Sequence, residues 1–124
     1  MSAMRYTEDH EWIRLESDGS ATIGITDHAQ DALGDIVFIE LPPLGKSFGK
    51  GDTVCVVESV KAAADVKMPV AGSVVEVNSA LPDDPAKVNT DPLTSGWFVR
   101  VMPKSAADLD GLMDEAAYQA LIGG

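Results

Sequence analysis

Cationic residues are scarce in this 124-residue chain: nine Lys+Arg stand against twenty Asp+Glu, a formal net charge of −11. Nucleic-acid binding draws its affinity mainly from Lys and Arg neutralising phosphates, so no nucleic-acid partner is expected. The same balance argues against docking on anionic lipid and favours partners with basic surfaces. Cysteine is scarcer still. The single thiol, Cys55, cannot form an internal disulfide. Together with His10 and His28 it makes a poor ligand set for structural zinc, and no metal site is expected. No apolar run approaches the length of a membrane span, so no membrane partner is expected either. Residues 1–5 have neither the apolar stretch of a secretory signal nor the Arg/Ser-rich pattern of a transit peptide. A cytoplasmic, bacterial-like location is the expectation, with a mature mitochondrial-matrix form as the alternative.

What the chain does have is enough apolar side chain for one core: 45% of residues are hydrophobic, and the length suits a single domain over residues 1–124. Most apolar segments are short, β-branched and bounded by Gly, Pro, Asn or Asp, which is the strand pattern. Strands are expected at 12–15, 21–25, 36–41, 53–58, 63–68, 73–77 and 97–102. Ser17-Asp18-Gly19-Ser20 reads as a hairpin turn. Thr26 is placed to cap a short helix over 27–33, with Gly34 as its stop. Residues 81–85 read as a turn or a single helical turn, and 89–96 as loop. Residues 106–113 and 115–121 look helical, with Asp114 as N-cap of the second. The pattern predicts a mostly β fold, a flattened barrel or sandwich with short peripheral helices. Its core spans about residues 6–103, and a helical segment follows over about 106–122.

The segment from Gly51 to Gly72 stands apart. Each glycine opens a similar run, Gly-Asp-Thr-Val and Gly-Ser-Val-Val, and Lys61 lies midway between them. The segment reads as two halves folded back on each other around residues 59–62. In such a hairpin, with arms of roughly 20 Å, Lys61 stands at the tip. A tight turn projects the ε-amine outward, and the small neighbours Ser59, Ala62, Ala63 and Ala64 leave space for another protein to grip it. That suits a lysine acylated by one enzyme and visited by others.

Glu58-Ser59-Val60-Lys61-Ala62, followed by Asp65-Val66 and Pro69-Val70-x-Gly72, resembles the lipoyl-attachment segment of the glycine cleavage system H-protein family. The resemblance continues through Tyr6-Thr7-x-x-His10-Glu11-Trp12, Gly24-Ile25-Thr26-Asp27-His28-Ala29-Gln30 and Leu33-Gly34-Asp35-Ile36-Val37-Phe38. It also covers Leu41-Pro42, Val75-Glu76-Val77-Asn78, Asn89-x-Asp91-Pro92 and Gly96-Trp97, nearly the whole chain from Tyr6 to Tyr118.

The resemblance implies a fold of the lipoyl/biotinyl-carrier type and lipoic acid held as an amide on Lys61. It implies a carrier of the glycine cleavage system, used in glycine catabolism and one-carbon metabolism, with no catalytic residue of its own. Three visits are implied. A pyridoxal-phosphate (PLP) glycine decarboxylase loads the aminomethyl group, and an aminomethyltransferase passes the one-carbon unit to tetrahydrofolate. A dihydrolipoamide dehydrogenase with FAD then reoxidises the dithiol. A lipoylating enzyme must act first, and Glu58, Ser59, Val60 and Ala62 are the residues by which it would recognise the turn. The family pattern places the acids of a cleft for the cationic aminomethyl arm at Glu11 and Asp65. Leu93 and Lys67-Met68 depart from the family pattern.

Other residues take plainer readings. His10 and His28 read as structural or surface residues, Trp12 and Trp97 as packing, and Cys55 as a small buried side chain. Gly51 and Gly72 read as sharp-turn residues. Lys67-Met68 looks superficially like a biotin-carrier pair, but it lies too close to Gly72 for a full return strand, so Lys67 is not an acceptor. The alternative function is an H-like carrier serving lipoyl relay or sulfur metabolism. An independent enzyme is disfavoured because no nucleophile–base or metal constellation appears.

Overall fold

The computed structural model describes residues 4–123. In chain order its strands are β1 (Met4–Tyr6), β2 (Glu11–Leu15), β3 (Ala21–Ile25), β4 (Ile36–Glu40), β5 (Ser47–Phe48), β6 (Thr53–Ser59), β7 (Ala63–Lys67), β8 (Gly72–Val77) and β9 (Val99–Pro103). The helices are α1 (Asp27–Leu33), α2 (Lys87–Thr90) and α3 (Glu115–Leu121), with a 3-10 turn at Ala106–Gly111. Two antiparallel sheets face each other, one ordered β1-β2-β3-β9-β8-β5 and the other β4-β6-β7. The architecture is therefore the expected mostly β sandwich.

Alternation along the strands makes the core. Ala21, Ile23 and Ile25 point inward from β3, opposite Val99 and Val101 of β9, and meet Ile36, Ile39, Val57 and Val66 of the smaller sheet. Burying each of these Ile and Val side chains contributes about 1.5–3 kcal/mol. A second cluster lies apart from that core. Tyr6, Trp12 and Tyr118 are buried together, and the two tyrosine rings stack 4.6 Å apart. This cluster seats α3 and ties it to β1, whose Tyr6 bridges Met113.

Local chemistry sets the helix ends. Thr26 Oγ1 accepts from Ala29 N–H, and Gly34 closes α1 with φ +81°. Asp114 caps α3 by accepting from Ala117 N–H.

Several boundaries differ from the sequence reading. The stretch 89–96 is not all loop, because Lys87–Thr90 closes one helical turn, α2. The last strand starts at Val99, not Trp97. Trp97 N–H is taken by Thr94 C=O and its carbonyl by the Asn78 side chain. The segment 106–113 forms a 3-10 turn ending at Gly111. Two short strands, β1 and β5, were not anticipated. The expected hairpin is β6 with β7, and the run opened by Gly72 belongs to the other sheet as β8. Gly72 is not at a sharp turn. A Cβ there would lie 2.7 Å from Met102 C=O, so the close approach of β9 is what requires glycine.

Candidate functional site

The β6–β7 ladder ends at the pair Glu58↔Ala63, leaving Val60, Lys61 and Ala62 outside both strands. Ser59 holds this turn. Its N–H donates to Ala62 C=O at 2.8 Å. Its Oγ donates to the same carbonyl and accepts from Lys61 N–H and Ala62 N–H, each at 3.1 Å. One donor and two acceptor sites are all that a hydroxyl has, and all are used. No residue from 59 to 62 has positive φ. Tight two-residue hairpins ordinarily need such residues, and here the serine side chain stabilises the turn instead.

The turn is also anchored from behind. Val60 N–H donates to Asp35 C=O at 3.0 Å. Asn89 braces the same corner: its Oδ1 accepts from Ile36 N–H at 2.9 Å, and its Nδ2 donates to Gly34 C=O at 3.0 Å. Lys61 itself is exposed. Its Cε lies 3.0 Å from where a Cβ on Gly34 would stand, so the lysine stem rests on that glycine.

Below the turn, the outward-facing residues of β7 are Ala63, Asp65 and Lys67, all exposed, while Val66 points into the core. Asp65 sits opposite Val56. Glu11, from the start of β2, is buried. Its Oε1 accepts from Thr7 Oγ1 at 2.8 Å and its Oε2 from Lys67 N–H at 3.2 Å. Burial outweighs these two hydrogen bonds and pushes the Glu11 carboxyl above its ordinary value of 4.5. The structure thus brings Glu11 to the backbone of Lys67, two residues beyond Asp65. No hydrogen bond joins the two acids among the described residues.

Glu11 lines an open cavity of about 300 Å³. Thr7, Asp9, Lys50, Lys67 and Met113 share its wall, whereas Asp65 lies outside it. Neither Thr7 nor the C-terminal wall was singled out from the sequence. Glu11 and Thr7 are only four residues apart, but the carboxyl's other partner, Lys67 N–H, comes from a segment 56 residues away.

The remaining sequence candidates fall into place as structure. Cys55 is buried, and desolvation pushes its thiol up to about 12, which leaves it protonated and inert. Trp12 is fully buried and donates from Nε1 to Pro92 C=O at 3.0 Å. Trp97 is half-buried against the same aromatic cluster. His10, the only non-glycine described residue with positive φ (+70°), pairs its Nδ1 with Tyr118 Oη at 2.9 Å and packs on His28 at 4.4 Å. Burial, then the neighbouring His28, lowers the His10 pKa. Among the described residues no group of three His, Cys, Asp or Glu is arranged to hold a metal. No described helix is long and apolar enough to cross a membrane.

The buried carboxyl generates a pH prediction. In Glu11→Gln the amide keeps the shape, its oxygen accepting from Lys67 N–H and its NH₂ donating to Thr7 Oγ1. Folded Glu11 holds its proton more tightly than unfolded Glu11, so the folded state loses stability as pH rises from about 4.5 through the folded value. The variant lacks that titration. Its urea midpoint should gain on the wild type across this window, starting from about pH 4. Curves that stay parallel from acid to neutral pH contradict the assignment.

Comparison with known proteins agrees with this fold. The family described as "Glycine cleavage H-protein" matches residues 4–123. The glycine cleavage system H protein of Chromobacterium violaceum is 56% identical over 120 residues, covering 97% of this chain and 94% of that one. Its counterpart in Rhodospirillum rubrum is 54% identical over 123 residues, covering 99% and 98%. The crystal structure of a glycine cleavage system H protein from Mycobacterium marinum superposes with a TM-score of 0.90 at 38% identity, covering 98% of each chain. The chain belongs to the glycine cleavage H-protein family, whose members carry lipoyl-lysine within the glycine cleavage system and are carriers, not catalysts.

Proposed function

We propose that Lys61 is the lipoyl-bearing residue and that this chain, as one unit over residues 1–124, shuttles the aminomethyl group of glycine. The observation that carries the reading is the Ser59-bridged turn, which holds Lys61 exposed beyond the last strand pair. Attachment needs an activated lipoyl group. Lys61 Nζ, after releasing a proton, bonds to the acyl carbon while the bond from that carbon to the leaving group breaks, and a second proton leaves the nitrogen to give the neutral amide. The positive charge is lost, taking the chain from −11 to −12. When bound, the lipoyl group supplies a sulfur that accepts the aminomethyl unit and a dithiol that can be reoxidised.

The chain's own residues supply position and charge. A lipoyl-lysine arm reaches about 12–15 Å from the backbone. Asp65 lies four residues beyond Lys61, two strand steps or about 7 Å into β7, and the Glu11 carboxyl is hydrogen-bonded two residues farther on. A cationic group at the arm's end therefore meets Asp65 first, with the Glu11 cavity beyond it. Both acids can accept charge-assisted hydrogen bonds from it, since a carboxylate offers more acceptor sites than Glu11 uses. Glu58, Ser59, Val60 and Ala62 form the surface by which a lipoylating enzyme recognises the turn. The visiting partners are the PLP-dependent glycine decarboxylase, the tetrahydrofolate-dependent aminomethyltransferase and the FAD-containing dihydrolipoamide dehydrogenase. The working place is the cytoplasm of a bacterium, and the acidic surface leaves no role for nucleic acid or anionic membrane.

Intact mass after co-expression with a lipoylating enzyme tests the attachment. Wild type should gain one lipoyl increment and Lys61→Arg none; an increment retained in Lys61→Arg would mean another residue carries the arm. The acidic cradle is tested separately on loaded protein. Asp65→Asn should release the aminomethyl unit severalfold faster than wild type at neutral pH, with an unchanged melting temperature. Equal lifetimes would remove Asp65 from the cradle.

A further inference from the structure

We propose that Val37, Phe38 and Val60 form the docking surface for the enzyme that acylates Lys61, and that this enzyme offers an apolar socket rimmed by basic side chains. The proposal rests on the reading of Lys61 as the acceptor.

The surface is made by a β-bulge. Ile36 pairs with Ser59 and Phe38 with Glu58, so Val37 is an extra residue in β4. Regular alternation would expose only one of two neighbours. The bulge turns both outward, at 54% exposure for Val37 and 48% for Phe38. Bulges beside functional sites re-aim side chains in this way. Val60, on the turn itself, is 67% exposed, and its N–H is tied to Asp35 C=O, one residue before β4. Three large apolar side chains thus gather at one corner, at a standing cost in exposed apolar area.

Two further observations say who covers them. The first is direction. The Lys61 stem rests on Gly34, with Cε 3.0 Å and Nζ 3.9 Å from a Cβ position there. The free amine therefore leans toward the α1–β4 corner and away from the β7 lane. An enzyme that acts on Nζ itself must close around a point only about 6 Å from the Lys61 backbone. Enzymes that act on the dithiolane have twice that reach and need not touch the corner. In the acylation, the Lys61 ammonium first gives one proton to solvent; the neutral Nζ then bonds to the carbonyl carbon of a lipoyl adenylate and gives a second proton to a base of the enzyme. The carbon–phosphate-oxygen bond breaks and AMP leaves, with no change of oxidation state.

The second is charge. Asp35, Glu40 and Glu58, all exposed, neighbour the three apolar residues in sequence or register, with Glu58 directly opposite Phe38. An apolar centre inside an acidic rim complements a basic-rimmed socket and draws it in by long-range attraction. The hairpin then has two working sides, β4 for attachment and β7 for the loaded arm.

The test is initial-rate lipoylation of the unmodified protein by a purified lipoylating enzyme with lipoate, ATP and magnesium, followed by intact mass. Phe38→Ala and Val37→Ser should each raise the KM for this protein about tenfold with kcat nearly unchanged. Leu44→Ala, which removes a still more exposed apolar side chain elsewhere, should not. Added salt should raise the wild-type KM. Thermal melts check that the variants fold, and two different substitutions guard against a local defect in one. KM values for both variants equal to that of Leu44→Ala overturn the proposal. So does a defect confined to aminomethyl transfer, which would assign the corner to a cleavage-system enzyme. Modification of Lys61→Arg at the wild-type rate would instead sink the acceptor reading on which the proposal stands.

Discussion

A single serine hydroxyl fixes the part of this molecule that matters. Ser59 Oγ uses every hydrogen-bonding capacity it has inside a three-residue turn, and the amides it receives are those of Lys61 and its neighbour. Each such bond contributes about 0.5–1.5 kcal/mol net, but the geometric consequence exceeds the energetic one. Without a left-handed residue the chain still reverses at once, and the lysine leaves the body of the protein from the middle of the three residues between the strands. The sandwich behind it acts as a mount: β6 and β7 set the height, the Asp35 carbonyl fixes the tilt, and Asn89 locks the corner on which the lysine stem lies.

The two flanks of this mount differ in character. Toward β7 lies a lane of small and charged side chains that leads past Asp65 to a carboxyl sunk against the Lys67 backbone. Keeping Glu11 there costs desolvation, visible as its raised pKa, and the cost is only partly offset by Thr7 and Lys67. The neighbouring backbone is strained as well, since His10 directly before Glu11 sits at φ +70°. The strain is held by Tyr118, whose hydroxyl meets both His10 and Thr26, the latter at 2.6 Å. The C-terminal helix thus braces the acidic end of the lane from outside the main core. Toward β4 lies the opposite chemistry, an apolar corner exposed by a bulge.

Much of this was legible where the determining chemistry is local. The bounds of β3 and α1 follow from alternation ended by a Thr26 cap and a Gly34 stop, and Asp114 announces α3 in the same way. The position of Lys61 at a hairpin tip follows from the strand runs on either side of it. What the sequence hides is non-local. β1 and β5 are too short to carry a pattern and exist because β2 and β8 offer partners. Trp97 and Phe98 read as strand, but their backbone groups go to Thr94, Asn78 and Ile23. Gly72 is required by an approaching strand thirty residues away, not by a turn. Glu11 was expected as a cleft acid, and its burial depends on a hydrogen bond across 56 residues. The bulge at Val37 left no sign either, because Ile36-Val37-Phe38-Ile39 reads equally well as an unbroken buried strand.

The central claim is that position, not mere presence of an amine near the tip, makes this chain a carrier. Transposing two adjacent residues, Val60→Lys with Lys61→Val, tests it most directly, because composition, charge and length stay the same. If the serine-bridged turn sets the geometry, the transposed protein should fold with an unchanged melting temperature yet show no lipoyl increment by intact mass under conditions that fully modify the wild type. Full modification of the transposed lysine at the wild-type rate would contradict the account.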